Sequence, residues 1–423
     1  MKMNAITASK LALYGLFLNY YCYYILRGSF IPMGTYVFLA VMVIGVLISA
    51  NEEPITFGFD IKCWFTYVVF SAATIFVAYS PSYAFDGLVK FIQRLVVIIA
   101  IVYICEKEKS IIFAIRLLAV TSVACALSSL LMMNDFSQKL TMESGASVST
   151  NDIGSIMAFG CFAVLFAFGT GENSRLYKTL LKIGFIIMAV SVISVAGSRK
   201  SIFAIIIMLA VMFIFCWRDY FQKMTSLQFV SIIVVCVVLV YVVYAFLLPN
   251  FEDTNLFVRM FGRGAERTAQ SDEGRLDLYV TAMEDFSNHF VLGLGFCNYD
   301  FLHGNYTHST FVEPLACSGI FGLLYLIPYV NILVNQVKFS FSKNEIYLKT
   351  NRVFQKEMLA FYISFLFVGI GIPYMYKDIS CIVLAMFIAW QNICNTEYEV
   401  KSILRGESNA RISNKGFASN SRF

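Results

Sequence analysis

The sequence has little charge for its length. Asp, Glu, Lys and Arg together make up 14% of the 423 residues, while hydrophobic residues make up 59%. Soluble domains usually carry about a quarter charged residues. The mean hydropathy of +0.71 also lies far from soluble averages, so the composition excludes an ordinary soluble domain. We therefore predict an integral membrane protein.

Several chemical signatures are missing as well. The eleven cysteines form no C-x-x-C pair, which argues against a redox or zinc framework and for cysteines as small packing residues. The loops contain no D-x-D and no His/carboxylate cluster with ligand spacing, so neither a metal nor any other cofactor is expected. Short alternating segments, which a membrane β-barrel needs, are absent too.

Long apolar runs recur along most of the chain, each of roughly 16–24 residues, about the length of a membrane-crossing helix. The fold class is therefore an all-α polytopic membrane protein with about 12 transmembrane helices and one large extracytoplasmic loop containing amphipathic helices. The predicted spans are 11–26, 30–49, 63–80, 88–105, 111–133, 153–170, 183–198, 202–216, 227–248, 312–336, 357–372 and 379–396.

The distribution of lysine and arginine predicts the orientation, because positive loops stay in the cytoplasm. With a cytoplasmic N-terminus, that side collects twenty Lys and Arg, against six in the short outer loops. Both termini are then cytoplasmic, and the net charge of +5 reflects sidedness rather than nucleic-acid binding. The chain divides into spans one to nine (1–248), an outer loop (249–311), spans ten to twelve (312–396) and a cytoplasmic tail (397–423).

Two adjacent cations interrupt the apolar stretch "SVISVAGSRKSIFAIIIMLA". Arg199 and Lys200 fall at the outer turn between the seventh and eighth spans. Side chains at a helix end can snorkel to the surface at little cost. A functional role is the alternative, because positive charge is disfavoured on this side and so tight a turn needs no cation.

The outer loop carries four arginines among nine acidic residues. Arg259, Arg263 and Arg267 recur every fourth residue, which would align them on one face of a helix. They indicate either an anion site or a solvated face neutralised by nearby acids. Arg94, inside the fourth span, is likewise either a partner for a buried diphosphate or acid, or a snorkelling residue.

The segment 271–290 has the pattern of an amphipathic helix docked on the spans or on the membrane surface. Ser271 or Asp272 is the predicted N-cap, which places Arg275 in the first turn. Free N–H groups and a guanidinium together would suit a phosphate. The predicted apolar face comprises Leu276, Tyr279, Met283, Phe286 and Phe290.

His308 lies where the loop enters the tenth span. An imidazole can take a proton from a sugar hydroxyl, because its ordinary pKa lies near neutrality. A lone histidine is more often structural. The arginines of separate outer loops, however, would meet His308 at the same membrane depth.

These elements, in this order, resemble the Wzy-type polysaccharide polymerase and O-antigen ligase superfamily of bacterial envelope proteins. The resemblance rests on "STNDIGSIMAFG", "SRK", "GRLDLY", "NHFVLGLGF" and "THSTFVEPLACSGIFG", and on the twelve-span frame. His308, Glu313, Gly319 and Gly322 are in register with the family's last element. Departures are Ser309 in place of Asn, Phe290 in place of Pro and Cys317 in place of an acid.

The resemblance implies a glycosyltransferase that uses undecaprenyl-diphosphate-linked oligosaccharide at the outer face of the bacterial cytoplasmic membrane. Arg199 and Arg275 would bind the diphosphate, assisted by Lys200, the Arg259/Arg263/Arg267 cluster and Arg94. His308 would act as base on the acceptor hydroxyl, with Ser309 and Glu313 positioning the acceptor. Transfer would invert the anomeric configuration without a metal. Membrane lipids and a chain-length regulator are the other candidate partners.

Three alternatives stay open. A ligase shares the donor and the catalytic residues with a polymerase, but transfers the glycan to lipopolysaccharide core. The "GSRKS" turn and the "YTHS" element favour the polymerase. A flippase should show repeated halves and charges lining a path between the two faces, whereas here the charges gather at one face. A purely structural membrane protein is the third alternative.

Overall fold

The structure is a computed structural model, and it describes residues 4–26, 31–52, 54–131, 150–167, 175–221, 265–341 and 352–396. These residues are mostly helical and contain no strand. The helices are α1 (Ala5–Leu26), α2 (Ile31–Ala50), α3 (Phe59–Thr74), α4 (Pro81–Lys107), α5 (Ile112–Leu131), α6 (Thr150–Ala167), α7 (Arg175–Ala196), α8 (Arg199–Phe221), α9 (Ala265–Asn288), α10 (Asn298–His303), α11 (Glu313–Ser318), α12 (Gly322–Phe341), α13 (Arg352–Gly369) and α14 (Asp378–Thr396).

Eleven of the twelve predicted spans overlap these helices. The ninth, 227–248, lies outside the described residues, as does the tail 397–423. Seven helices of the described chain are long and apolar enough to cross a membrane by length and composition. Together they make this a polytopic helical membrane protein, while the number of twelve spans and the extent of the outer loop stay predictions.

The last helix is the core of the bundle. Every residue from Cys381 to Trp390 in α14 is buried, as expected for a helix that is apolar all round. α13 packs on α8 and α12, α12 packs on α3, and α6 packs on α5, α7 and α8. By contrast, α2 and α8 keep apolar side chains such as Leu47 and Ile214 exposed, which suits a lipid-facing position.

Small residues let neighbouring helices approach closely. A side chain at Gly160 of α6 would place its Cβ 2.4 Å from the Cβ of Ser122 on α5. The Ser122 hydroxyl donates to the carbonyl of Ile156 at 3.2 Å, so this contact is also hydrogen-bonded across the helices. Such contacts are typical of helix packing in membranes, where the lipid provides no hydrophobic drive for association.

The orientation can be tested by labelling introduced cysteines. All nine cysteines that the structure describes are buried, so their background reaction should be low. Asn305→Cys, in an exposed outer-loop position, should react with a membrane-impermeant maleimide on intact cells. Lys109→Cys, exposed after α4, should react only after the membrane is permeabilised. Labelling of Lys109→Cys alone on intact cells would reverse the predicted topology.

Candidate active site at the outer face

The turn between α7 and α8 brings two cations to the end of the bundle that is predicted to face outward. Gly197 has a φ of 65°, a conformation that glycine adopts at no steric cost. The hydroxyls of Ser198 and Ser201 lie 2.7 Å apart in the first turn of α8. Arg199 and Lys200 follow Ser198 directly and are half-buried. Cations are disfavoured at a helix N-terminus, so this placement needs another source of stabilisation.

Part of that stabilisation comes from the connection between α13 and α14, residues 369–378, which we call the outer connector. The Lys200 ammonium donates to the carbonyl of Gly371 at 3.1 Å. A Cβ at Gly371 would lie 1.7 Å from the Lys200 Nζ, so the approach requires a residue without a side chain. The connector thus determines where the ammonium group lies.

His308 lies in a tight loop, residues 304–312, which we call the His308 loop. Its φ of 59° is uncommon for a residue other than glycine. The buried Glu313 carboxylate accepts from the Thr307 N–H at 2.6 Å and from the Tyr376 hydroxyl at 2.9 Å. These bonds tie the loop to α11 and to the outer connector, and so stabilise the unusual backbone of His308.

Ser309 is buried and fully engaged within the loop. Its hydroxyl accepts from the Phe311 N–H at 3.2 Å, and its own N–H donates to the Thr307 hydroxyl at 3.2 Å. Glu313 is buried at 0% exposure. Both residues therefore act on the shape of the loop in this structure, and any contribution to acceptor positioning would pass through His308.

Four consecutive carbonyls of the outer connector accept hydrogen bonds from other outer elements. Gly369 accepts from the Thr310 N–H at 2.8 Å, and Ile372 from the Thr310 hydroxyl at 2.5 Å. Between them, Ile370 accepts from the Tyr279 hydroxyl of α9 at 2.6 Å and Gly371 accepts from Lys200. The connector thereby joins α8, α9 and the His308 loop.

Three cations lie near enough to His308 to act on its protonation. Burial, together with the positive charges of Arg275, Lys200 and Lys377, lowers the pKa of His308 to about 4. The imidazole is therefore neutral at physiological pH. The three cations come from α9, α8 and the outer connector respectively, and with the imidazole they form what we call the His308 centre.

Lys377 was not singled out by the sequence. Its ammonium pairs with Asp152 of α6 at 2.7 Å and lies 5.8 Å from the centre of the Tyr306 ring. That ring lies 4.3 Å from the His308 ring, centre to centre. Sequence signals existed in the "GIGIP" run and in Lys377 itself, one of only six cations in the short outer loops.

Arg275 belongs to the His308 centre, but it does not lie in the first turn of its helix as predicted. α9 begins at Ala265, so Ser271 and Asp272 lie inside the helix and Arg275 is ten residues from its start. The predicted helix N-terminal phosphate site is therefore wrong. The segment "AERTAQ" contains good helix formers, which extend the helix upstream of the predicted cap.

Of the two docking modes predicted for the apolar face of α9, packing of the whole face on the spans is wrong, while docking on the membrane surface stays a prediction. Leu276, Met283 and Phe290 are 61%, 41% and 50% exposed. The buried face instead contains Ala282, which packs with Tyr299 and Cys317. Of the predicted face, Tyr279 does contact another element, because its hydroxyl donates to the Ile370 carbonyl.

Arg94 is bound to the other end of the outer connector. Its Nε donates to the Asp378 carboxylate at 2.8 Å. Its two terminal nitrogens donate to the carbonyls of Met375 and Tyr376, each at 3.0 Å. The acidic partner predicted as one alternative is thus Asp378, and the guanidinium holds the connector against α4.

The other predicted cations are only partly described. Arg259 and Arg263 lie outside the described residues, and Arg267 is in the first turn of α9. Their shared anion site stays a prediction. Of the remaining histidines, His303 contacts the Asp285 carboxylate at 2.8 Å, and His289 is exposed. Within the described chain, no group of three or more His, Cys, Asp or Glu could hold a metal ion.

The site and the fold define a multi-pass membrane protein with a cation-rich, histidine-bearing centre. The family model described as O-antigen ligase (Wzy_C) matches residues 183–327, and this part of the chain is therefore similar to the Wzy/O-antigen ligase superfamily. The match contains Arg199, Lys200, Arg275 and His308, whereas Arg94 and Lys377 lie outside it. No curated protein matches the chain.

The match confirms the resemblance that the sequence motifs indicated. The family covers O-antigen ligases and polymerases, which are enzymes of glycosyl transfer. They act on lipid-linked oligosaccharide. The matched segment runs from α7 into α12, so it includes the helices α8 and α9, which carry Arg199, Lys200 and Arg275.

Gly371→Ala should displace the Lys200 ammonium and leave the fold intact, because the flexible end of a lysine can move aside. We expect glycosyl transfer to fall roughly tenfold, the effect of losing one hydrogen bond to a charged group. Activity of purified protein, with the thermal midpoint alongside, measures this. Gly274→Ala is the matched control, because its Cβ would have no neighbour within 4 Å. Equal activity of both variants would contradict a role for the position of Lys200.

Proposed function

We propose that the protein polymerises undecaprenyl-diphosphate-linked oligosaccharide repeat units into O-antigen, capsular or exopolysaccharide at the outer face of the cytoplasmic membrane. The observation that carries this proposal is the meeting of Arg275, Lys200 and Lys377 around a neutral His308. A lipid diphosphate leaving group requires positive charge near the breaking bond, and a sugar hydroxyl requires a proton acceptor.

In the proposed reaction, an acceptor hydroxyl oxygen attacks the anomeric carbon of the donor sugar. The bond from that carbon to the diphosphate oxygen breaks, and its electron pair leaves with the diphosphate. Arg275, Lys200 and Arg199 stabilise the growing negative charge, with Arg259, Arg263 and Arg267 assisting from the preceding segment. His308 takes the hydroxyl proton. A single displacement inverts the anomeric configuration.

Donor binding and base strength are coupled in this scheme. The diphosphate brings negative charge to the three cations that lower the pKa of His308. Their electrostatic effect is then offset, so the imidazole becomes a stronger base when the donor is bound. An unloaded site therefore has a weak base and a loaded one has a competent base.

The ligase is the other family activity, and it differs in its acceptor. The polymerase is favoured by the "GSRKS" turn, in which Gly197 and Ser198 form the connection before Arg199. A flippase is less well supported, because Arg275, Lys200 and Lys377 act on one histidine rather than lining a path between the two faces. A chain-length regulator is a proposed partner of the polymerase.

A gel ladder from purified protein and defined lipid-linked repeat units tests the reaction. Arg199→Ala, Arg275→Ala and His308→Ala should each abolish the ladder while the protein stays in the membrane. Arg275→Lys keeps the charge but loses the two-pronged geometry, and should reduce polymer formation at least tenfold. Arg116→Lys, exposed on α5, is the matched control and should stay active. Full activity in two of the three alanine variants would reject the site assignment.

A deletion strain separates the two family activities, because the acceptors differ. Loss of a polymerase leaves single repeat units attached to the lipopolysaccharide core or exported, whereas loss of a ligase leaves none attached. The glycan profile of the deletion strain, and of the strain complemented with the gene, provides the measurement. A profile without any attached repeat unit would replace the polymerase assignment with the ligase.

The pH dependence of kcat/KM tests the electrostatics of His308. Lys377→Gln removes one of the charges that lower the pKa of His308, so this pKa should rise toward its ordinary value. Because only neutral imidazole accepts a proton, the acidic limb of the profile should move to higher pH. Lys377→Arg retains the charge and should leave the limb in place. A limb at the same pH in the Lys377→Gln variant and in the unsubstituted protein would exclude His308 as the titrating base.

A further inference from the structure

A second polar cavity lies apart from the His308 centre. Its volume is about 370 Å³, and it lies between α1, α2, α4 and the start of α14. Leu16 and Leu39 belong to its apolar wall, while Lys90, Gln93 and Arg94 form a polar side on α4. This volume is within the usual range of ligand cavities, about 300–1,000 Å³.

The outer connector separates the cavity from the His308 centre. The carbonyl of Tyr376 accepts from Arg94, which lines the cavity, whereas the Tyr376 hydroxyl donates to Glu313 under the His308 loop. Likewise, Asp378 faces the cavity while the preceding Lys377 influences His308. Two different faces of one segment therefore border two different sites.

The cavity has an excess positive charge. Arg94 is neutralised by its ion pair with Asp378, which leaves the ammonium group of Lys90. Among the described residues no carboxylate lies within ion-pair distance of Lys90, not even Asp86 one turn earlier on α4. The Gln93 amide also has no hydrogen-bond partner in the described chain. Both groups can donate to an anion.

The depth of Lys90 matches a lipid headgroup. α4 has 27 residues and ends at Lys107, whose ammonium donates to Ser49 at 3.0 Å near the cytoplasmic ends of α2 and α4. At a rise of 1.5 Å per residue, Lys90 lies about 26 Å from Lys107 along the helix. The hydrocarbon core is about 30 Å thick, so Lys90 is close to the outer boundary, where lipid phosphates lie.

We propose that this cavity binds the phosphate group of a lipid, at a site separate from the His308 centre. The Lys90 ammonium and the Gln93 amide bind phosphate oxygens, and the lipid chain packs on the apolar wall that includes Leu16 and Leu39. The ligand chemistry is a phosphate on a long apolar tail, which either an anionic phospholipid or a polyprenyl phosphate carrier supplies. The inference concerns binding and does not depend on the proposed reaction at His308.

The test uses the full chain in phosphatidylcholine nanodiscs, with bound lipid counted by native mass spectrometry. Phosphatidylglycerol, sugar-free undecaprenyl diphosphate and inorganic pyrophosphate are titrated separately. We expect one tightly held anionic lipid, phosphatidylglycerol or undecaprenyl diphosphate, in preference to phosphatidylcholine. Lys90→Gln should weaken its binding about five- to tenfold, as expected for one cation at the membrane surface. Phosphatidylglycerol and undecaprenyl diphosphate are then set in competition, and the lipid that displaces the other at the lower concentration is the preferred ligand.

Three further variants make the result specific. Leu39→Trp fills the cavity without changing any charge and should also expel the lipid. Lys109→Gln, exposed beyond the cytoplasmic end of α4, should bind like the unsubstituted protein. His308→Ala should retain the lipid, because the two sites are separate. Unchanged binding in both Lys90→Gln and Leu39→Trp would overturn the proposal, as would loss of the lipid in His308→Ala. Pyrophosphate binding as tightly as either lipid would overturn it too.

Discussion

The hydrogen bonds to the main chain of the outer connector are the interaction on which the site depends. Four successive carbonyls, from Gly369 to Ile372, accept from Thr310, Tyr279 and Lys200. Backbone carbonyls near the bilayer have little access to water and must be satisfied by protein groups. The same bonds therefore satisfy the connector and hold three separate elements in fixed positions. Without the connector, Lys200 of α8 and Tyr279 of α9 would lose the carbonyls that hold these two helices in fixed positions.

Electrostatics and packing act together at His308. Like charges repel, so Arg275, Lys200 and Lys377 near one imidazole raise the free energy of the unloaded site. Local bonds offset part of this, since Lys377 pairs with Asp152 and Lys200 donates to a carbonyl. Bonds to neighbouring groups hold the cations in place, and an anion would remove their mutual repulsion. Such a site is preorganised for an anionic ligand. The neutral imidazole adds no further repulsion.

Sequence reasoning predicted the helices and the grouping of Lys200, Arg275 and His308, because hydropathy and sidedness are strong local signals. It could not place the ion pair between Arg94 and Asp378, which are 284 residues apart. It also missed Lys377 and the connector, since bonds to backbone carbonyls leave no pattern in side-chain identity. The start of α9 was wrong because Ser271 and Asp272 are good caps only where a helix actually begins. The side of α9 that packs on other protein elements contains Ala282, which the apolar periodicity did not indicate.

The buried position of α14 bears on how the protein is made. Translation proceeds from the N-terminus, so the preceding helices enter the bilayer before α14. These helices enclose the Cys381–Trp390 segment of α14 in the finished bundle. Until that late helix inserts, its partners contact lipid, or one another, along surfaces that are later covered. The ion pair between Arg94 of α4 and Asp378 at the start of α14 can form only then. Assembly of the His308 centre is thus coupled to completion of the bundle, and a partly synthesised chain lacks the connector that joins α8, α9 and the His308 loop.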